Sequence, residues 1–534
     1  MRLYRRTLPA AALCGLGLVI SLHPLLTSGF DLVPGYQIDT RLVHWILEYG
    51  YRSILLGTGS FWDPPFFFPV KNAGAFTETL IGTAPLYWLP RAGGLTPNGA
   101  FVVWLVAILV ANYWIAYVWL SEAGPFARGP SALGAYVFAF SNMRLVQIYH
   151  PQLLAQFFSP AAIICLTKAF EAHGQDRGRR SDAWVVAFFV AVAAQVYASF
   201  YLGWFLLLGF GIAGLCAIAL RSSRRLLLPF LGARRRALAI GAVLAGTALA
   251  PGLLRYAEAE RAVGGRSFAE LMVFLPRISS WFFMGGGSWA YAWLGRFGPW
   301  QGIEASQEHC LALGFLTLGL VAAGLARQRA RPLAQVLSLA AAAAVLLTTT
   351  WPGGLTAWRL AYRVLPGAQA IRAVGRISLL LLIPAAFGVA ACLEGRARGL
   401  ALVLTVLVVA EQGRSLHFFS LGRTDAHVAR LASELDPSRC GYFFYSPAEP
   451  PSPRSDDFLA CVRQVDAMWA ALHAGIPTIN GYSGNFPPGW NELLHDLIHA
   501  PADRARLSAA LARWIAAHSL DPRRFCWIDS SPRN

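Results

Sequence analysis

Apolar windows of roughly twenty residues recur along the first four-fifths of the chain, at about 8–26, 100–120, 131–149, 152–170, 183–200, 202–220, 237–254, 309–326, 333–350, 376–393 and 400–416. A helix rises about 1.5 Å per residue, so such a window crosses the ~30 Å hydrocarbon core of a bilayer. The pattern predicts an all-α transmembrane bundle of about eleven spans. Longer stretches at 27–99, 255–308 and 351–375 interrupt it, and its character changes after residue 416. From there, strand-like runs at 441–445 and 525–528 alternate with helical periodicity at 457–473 and 503–518, around a proline-rich run at 446–453. The expected organisation is a transmembrane domain over 1–416 and a small C-terminal α/β domain over 417–534.

The loop 27–99 carries its own pattern. Leu42, Trp45, Ile46, Tyr49 and Ser53 share one face of a helix over 40–54, an amphipathic segment suited to lying in the membrane interface. Phe61 to Pro69 is proline-broken and aromatic, which predicts an extended turn. A second interfacial helix is expected from Thr77 and Glu78 into Ala84, Pro85, Leu86, Tyr87 and Trp88.

Composition agrees with membrane insertion, with 56% hydrophobic and 14% charged residues and a mean hydropathy of +0.47. Arginine clusters fall in alternate loops: Arg2, Arg5 and Arg6; Arg177, Arg179 and Arg180; Arg221 to Arg236; Arg327 to Arg331; Arg396 and Arg398. Basic short loops mark the cytoplasmic side, which puts the N-terminus inside and the three long loops and the C-terminal domain outside a bacterial inner membrane. Much of the net charge of +17 is then topological, beside anionic lipid, and no nucleic-acid partner is implied. Cys440, Cys461 and Cys526 share the outer tail, enough for one disulfide and one remaining thiol.

Several polar residues stand out on the expected outer side. Arg372 and Arg376 are spaced i, i+4, so in a helix they share a face and can clamp a lipid phosphate; as ordinary arginines they snorkel at the interface. His150 and Gln152, at an outer turn, can bind a sugar or headgroup, or cap and pack the turn. Trp281, Trp289, Trp293 and Trp300 read as an aromatic belt, and Asp466 as a helix-surface residue. No Asp-x-Asp occurs, which leaves a metal unsupported, and the sequence assigns no metal ligands, cofactor or oligomeric state.

Tyr36 to Arg41, Ile46 to Glu48, Phe61 to Pro69, Thr77-Glu78 and Ala84 to Tyr87 resemble a widespread group of bacterial polytopic membrane proteins related to the GT-C superfamily of glycosyltransferases. Further matches are His150-Pro151-Gln152, Ala370-Ile371-Arg372 with Gly375-Arg376, Asp466-Ala467-Met468 and Asn480 to Gly484. The resemblance implies a lipid-linked sugar donor such as a polyprenyl phosphate sugar, with a carboxylate of the first outer loop deprotonating the acceptor hydroxyl. Asp39 is the first candidate, with N-capping as its structural alternative. Glu78 stands where the group often has Asp, with a first-turn acid as its alternative. Tyr36 departs from the group, where an acidic residue is common. Rival readings are a lipid or saccharide transporter or flippase, which needs mid-membrane charges, and a non-catalytic assembly protein.

Overall fold

The computed structural model describes residues 2–446, 456–490, 493 and 504–529. The chain divides into two units, one of Met1–Leu26, Trp104–Ala250 and Gly265–Leu416, the other of Thr27–Val103, Pro251–Gly264 and His417–Asn534.

The first unit holds most of the apolar helices. Among the described residues, seven helical segments are long and apolar enough to cross a membrane: Thr7–Thr27, Pro97–Ala123, Pro151–Gly174, Gly178–Ala198, Phe200–Ala219, Arg235–Val263 and Val374–Leu393. The other four expected spans form shorter helices, Arg128–Phe140, Phe315–Arg327, Pro332–Thr348 and Arg398–Gln412. Val374–Leu393 lies at the centre, with 89% of its apolar window buried. Phe315–Arg327 crosses it so closely that a Cβ at Gly324 would overlap the Gly388 carbonyl.

The window 131–149 is not one helix. It stops at Phe140, extends through Ser141, and resumes as short turns over Asn142–Leu145 and Val146–Tyr149. Arg144 explains the break. Fully buried, it donates to the Phe138 and Leu154 carbonyls and to Gln156 Oε1. Breaking the helix frees acceptors for a guanidinium that has no water, and irregular backbone of this kind is tolerated where protein covers it. Glu411 has a comparable task, accepting from the Leu316 and Thr317 amides at 2.8 Å and so capping the helix Phe315–Arg327.

The second unit is mixed. Strand Leu32–Pro34 pairs antiparallel with Phe418–Ser420, and Tyr442–Tyr445 pairs parallel with Phe525–Ile528. A disulfide joins Cys440 to Cys526 beside the parallel pair, and Cys461 lies outside it. Helices Leu421–Ser433, Asp456–Ala474 and Arg504–Ala517 accompany these strands. The proline-rich run expected at 446–453 lies, after Ser446, outside the described residues.

Two expectations for the loop 27–99 are corrected here. The helix Asp39–Gly50, continued by a π-turn over Tyr51–Leu55, does not present a solvated face, because every residue from Thr40 to Gly50 is buried. Its polar side is satisfied internally. Arg41 meets Asp466 at 2.5 Å, His44 Nε2 bonds the Pro97 carbonyl at 3.1 Å, and Glu48 accepts from Arg52, Arg91 and Tyr87. The second helix spans Pro85–Ala92, so Thr77 and Glu78 precede it in non-helical chain. Proline at the first helical position, where an amide has no partner to lose, sets that start.

Candidate functional site

The acidic candidates belong to the second unit. The cap position of the helix Asp39–Gly50 is Ile38, with no side-chain capping bond, so Asp39 is the first helical residue and half-buried. An acid there is favoured by the helix dipole. Tyr482 Oη donates to Asp39 Oδ1 at 3.3 Å. That tyrosine is held by the segment around Asn480. The Asn480 amide group bonds the Tyr445 backbone at 2.7 and 3.1 Å and Gln464 Oε1 at 2.8 Å. Its carbonyl accepts from the Phe67 amide at 2.9 Å. Gly481 is required because a Cβ would overlap the Phe67 ring. The Asn480 to Gly484 run is thus a support that brings Tyr482 to Asp39.

Glu78 is half-buried in extended chain, so it is not a first-turn acid. Its neighbour Thr77 accepts at its carbonyl from Tyr256 Oη at 3.1 Å. Tyr36, in place of the group's acid, packs on the His417 and Phe458 rings at 4.9 and 6.0 Å.

Glu48 and Arg41, the partner of Asp466, appear in the sequence only within the matched runs Ile46 to Glu48 and Tyr36 to Arg41, with no role attached. Glu48 is fully buried. Burial pushes its pKa up, but hydrogen bonds from Arg91, Arg52 and Tyr87 together outweigh this and hold it below the usual carboxylate range. Asp466 is not a surface residue: it is 4% exposed, paired with Arg41 and 3.5 Å from His427. Both carboxylates are fully engaged in holding the unit together. Asp39 differs from them in exposure.

The basic candidates belong to the first unit. Arg372 and Arg376 do not share an α-helical face, because Arg372 sits in irregular chain and Arg376 in the 3-10 turn Val374–Ile377. Arg376 is turned inward onto Glu308, with Nη2 to Oε1 at 2.6 Å, and its guanidinium lies 4.8 Å from the Tyr201 ring centre. His150 Nε2 reaches the same Glu308 oxygen at 3.4 Å. The structure therefore brings Arg376 and His150 together through an acid that the sequence reading passed over. Burial alone would raise the Glu308 pKa, but the Arg376 charge and then His150 hold it well below the carboxylate range. Arg372 is half-exposed, its guanidinium 5.1 Å from the Phe274 ring centre and its amide bonded to Tyr201 Oη at 3.0 Å. Gln152 Oε1 is buried without a hydrogen-bond partner among the described residues.

Comparison with solved structures adds what these local contacts cannot. The chain superposes on the arabinofuranosyltransferase AftD from Mycobacteria with a TM-score of 0.51 and 15% identity, covering 92% of this chain and 33% of that one. It also superposes on the Archaeoglobus fulgidus oligosaccharyltransferase AglB, in complex with an inhibitory peptide and a dolichol-phosphate, with a TM-score of 0.51 and 10% identity. That match covers 96% of this chain and 68% of AglB. The chain has a GT-C fold. It spans about a third of the length of AftD and about two-thirds of AglB. No family model and no curated protein matches the sequence. At these identities the likeness establishes the GT-C fold, and the chemistry has to be argued from the residues.

Proposed function

We propose that this protein is a glycosyltransferase of the bacterial inner membrane, moving a sugar from a polyprenyl-phosphate donor to an envelope acceptor on the outer face. The GT-C fold carries the reading. The cytoplasmic N-terminus and the extracytoplasmic α/β domain over 417–534 follow from the arginine distribution.

Asp39 is the general base. A sugar hydroxyl is a weak nucleophile, and a positioned carboxylate takes its proton as the oxygen bonds the anomeric carbon. The bond from that carbon to the donor phosphate oxygen breaks, and the lipid phosphate leaves with the electron pair. Half-exposure keeps the Asp39 carboxylate accessible, and the Tyr482 hydroxyl orients it. Arg372 is assigned to the donor phosphate, since among the described residues no carboxylate holds its guanidinium as Glu308 holds that of Arg376. His150, Gln152 and Arg376 support the donor side, and Glu78 is the reserve base.

The test is Asp39→Asn in purified protein given a lipid-linked sugar donor that the wild type turns over. Transfer should fall by about 10² to 10⁴, the usual contribution of a positioned acid or base. The melting temperature should hold, because Asn also suits a helix start. Full turnover by a folded Asn variant eliminates Asp39 and moves the search to Glu78. For the donor side, Arg372→Ala should weaken donor binding more than Arg372→Lys, since lysine keeps the charge but loses the fork. Equal affinities would make Arg372 an interfacial anchor.

A further inference from the structure

The second unit also contains a cleft of about 810 Å³, well removed from Asp39. Its lining comes from the far end of the helix that Asp39 begins, from the loop 58–71, and from the last turn of the helix Asp456–Ala474 with the chain that follows it to Pro477. Asp39 and Arg52 stand at opposite ends of that helix, so at about 1.5 Å per residue the two sites are on the order of 20 Å apart. The volume is of the size that small-molecule and cofactor sites occupy, about 300–1,000 Å³.

Charge in the cleft is unbalanced toward positive. Glu48 is the single carboxylate shared by two arginines, accepting from Arg52 Nε at 2.9 Å and from Arg91 Nε at 2.9 Å. Two guanidiniums against one carboxylate leave a net charge of +1, and Arg52, the more exposed of the two, is the one that lines the cleft. Arg52 Nη1 is fixed by the Leu472 carbonyl at 2.8 Å, while Nη2 has no partner among the described residues. At the rim, Lys71 is 83% exposed and only 3.7 Å from Asp63, a loose pair that adds no net charge. His473 stays neutral at physiological pH, because the surrounding protein and then the Arg52 charge hold its pKa below the usual imidazole range.

The walls are stiff. Pro64, Pro65, Pro69 and Pro477 line them with the Tyr49 and Phe68 rings. Tyr49 is anchored by its hydroxyl to the Ser60 carbonyl at 2.7 Å and stacked on Trp45 at 4.8 Å. Proline restricts the backbone, so the shape is set before a ligand arrives and less ordering entropy is lost on binding. The Phe68 ring and a neutral imidazole suit a sugar ring, and a guanidinium nitrogen without a partner among the described residues suits a carboxylate or phosphate on it.

We propose that this cleft binds an acidic carbohydrate, as the part of the acceptor chain remote from the reacting hydroxyl. The word acceptor rests on the glycosyltransferase reading above; the binding itself does not.

The full chain, held in nanodiscs of zwitterionic lipid, is titrated calorimetrically with a galacturonate tetramer and with a neutral galactose tetramer. The acidic tetramer should bind roughly tenfold more tightly, the lower end of what a charge-assisted hydrogen bond contributes. Lys71→Glu, at an exposed position that leaves the fold intact, should weaken the acidic tetramer about three- to tenfold and leave the neutral one unchanged. Equal affinity for the two tetramers, an indifferent Lys71→Glu variant, or no binding of either overturns the proposal. Complete displacement by equimolar inorganic phosphate overturns it too, because the cleft would then hold a lone anion. The two readings fail separately. Wild-type transfer without tetramer binding sinks only the cleft, whereas tetramer binding with full turnover by Asp39→Asn sinks only the assignment of the base.

Discussion

In the unit that holds most of the apolar helices, the buried Arg144 and Glu411 serve backbone, while Arg376 pairs with Glu308. Arg144 collects carbonyls where a helix breaks, and Glu411 collects amides where one begins. In the unit containing Asp39, buried charges mainly pair with one another. Arg41 reaches Asp466 across 425 positions, and Arg91 reaches Glu48 across 43. The difference follows from solvent. Helix ends away from water must be satisfied by protein groups, whereas a small mixed unit with short strands needs cross-links to hold its layers. A carboxylate engaged on all sides, such as Glu48 or Asp466, is a structural group. A half-exposed one, such as Asp39, can exchange a proton with a ligand. That contrast can be broken at three points.

The largest effect is expected at Glu48. Glu48→Ala leaves two guanidiniums facing a buried space, and losing one partner of a buried charge cluster typically destabilises by about 3–5 kcal/mol. Thermal unfolding in detergent should show it plainly, while Asp39→Asn stays within about 0.5 kcal/mol of wild type. Equal melting of the Glu48→Ala and Asp39→Asn proteins would erase the distinction drawn between the two acids.

A smaller effect belongs to Glu308 and Arg376. The cycle of Glu308→Gln, Arg376→Gln and the double variant should give a coupling of about 1–3 kcal/mol. The sign with pH is fixed. The folded pKa of Glu308 is depressed, so its stabilisation is present above the unfolded value of 4.5 and is lost as pH falls through the folded value. Glu308→Gln should therefore melt with less dependence on pH below 4.5. Additive single variants would mean that Arg376 is held by its other neighbours.

The smallest effect is at His44, which is 2% exposed between the Phe101, Tyr87 and Trp469 rings. Burial drives its pKa down to about 3, against 6.5 unfolded. Between those values the unfolded chain binds a proton that the folded chain does not, so stability falls as pH falls. From pH 7 to 5.5 the loss should be about 1 kcal/mol. In His44→Phe the melting temperature should change less over that interval; an unchanged slope would assign it to His309, His427 and His473, which shift in the same direction.

Elements set by local pattern were legible in the sequence. The strands at 442–445 and 525–528 and the helices Asp456–Ala474 and Arg504–Ala517 lie within a residue or two of their periodicity, because alternation and helical spacing are properties of neighbours along the chain. Seven of the apolar windows became long helices for the same reason. The disulfide pairing was not legible: the three cysteines after residue 416 allow three pairings, and only the parallel register sets Cys440 beside Cys526.

What tertiary structure decided concerns mainly the charged residues. The helix Asp39–Gly50 has the spacing of an interfacial helix, but its polar face is buried because Asp466, Pro97 and Arg91 come from elsewhere to meet it. Arg372 and Arg376 have helical spacing in sequence, yet the chain between them is irregular and Glu308, 68 positions away, claims the second. The window 131–149 is apolar enough for a span, but the one arginine inside it needs carbonyls that only a broken helix exposes. Hydropathy and periodicity report which residues prefer to leave water. Which partner a buried charge finds depends on contacts between segments that folding alone brings together, and the sequence by itself therefore determined most of the helices and strands but not the ion pairs of Arg41, Glu48 and Glu308.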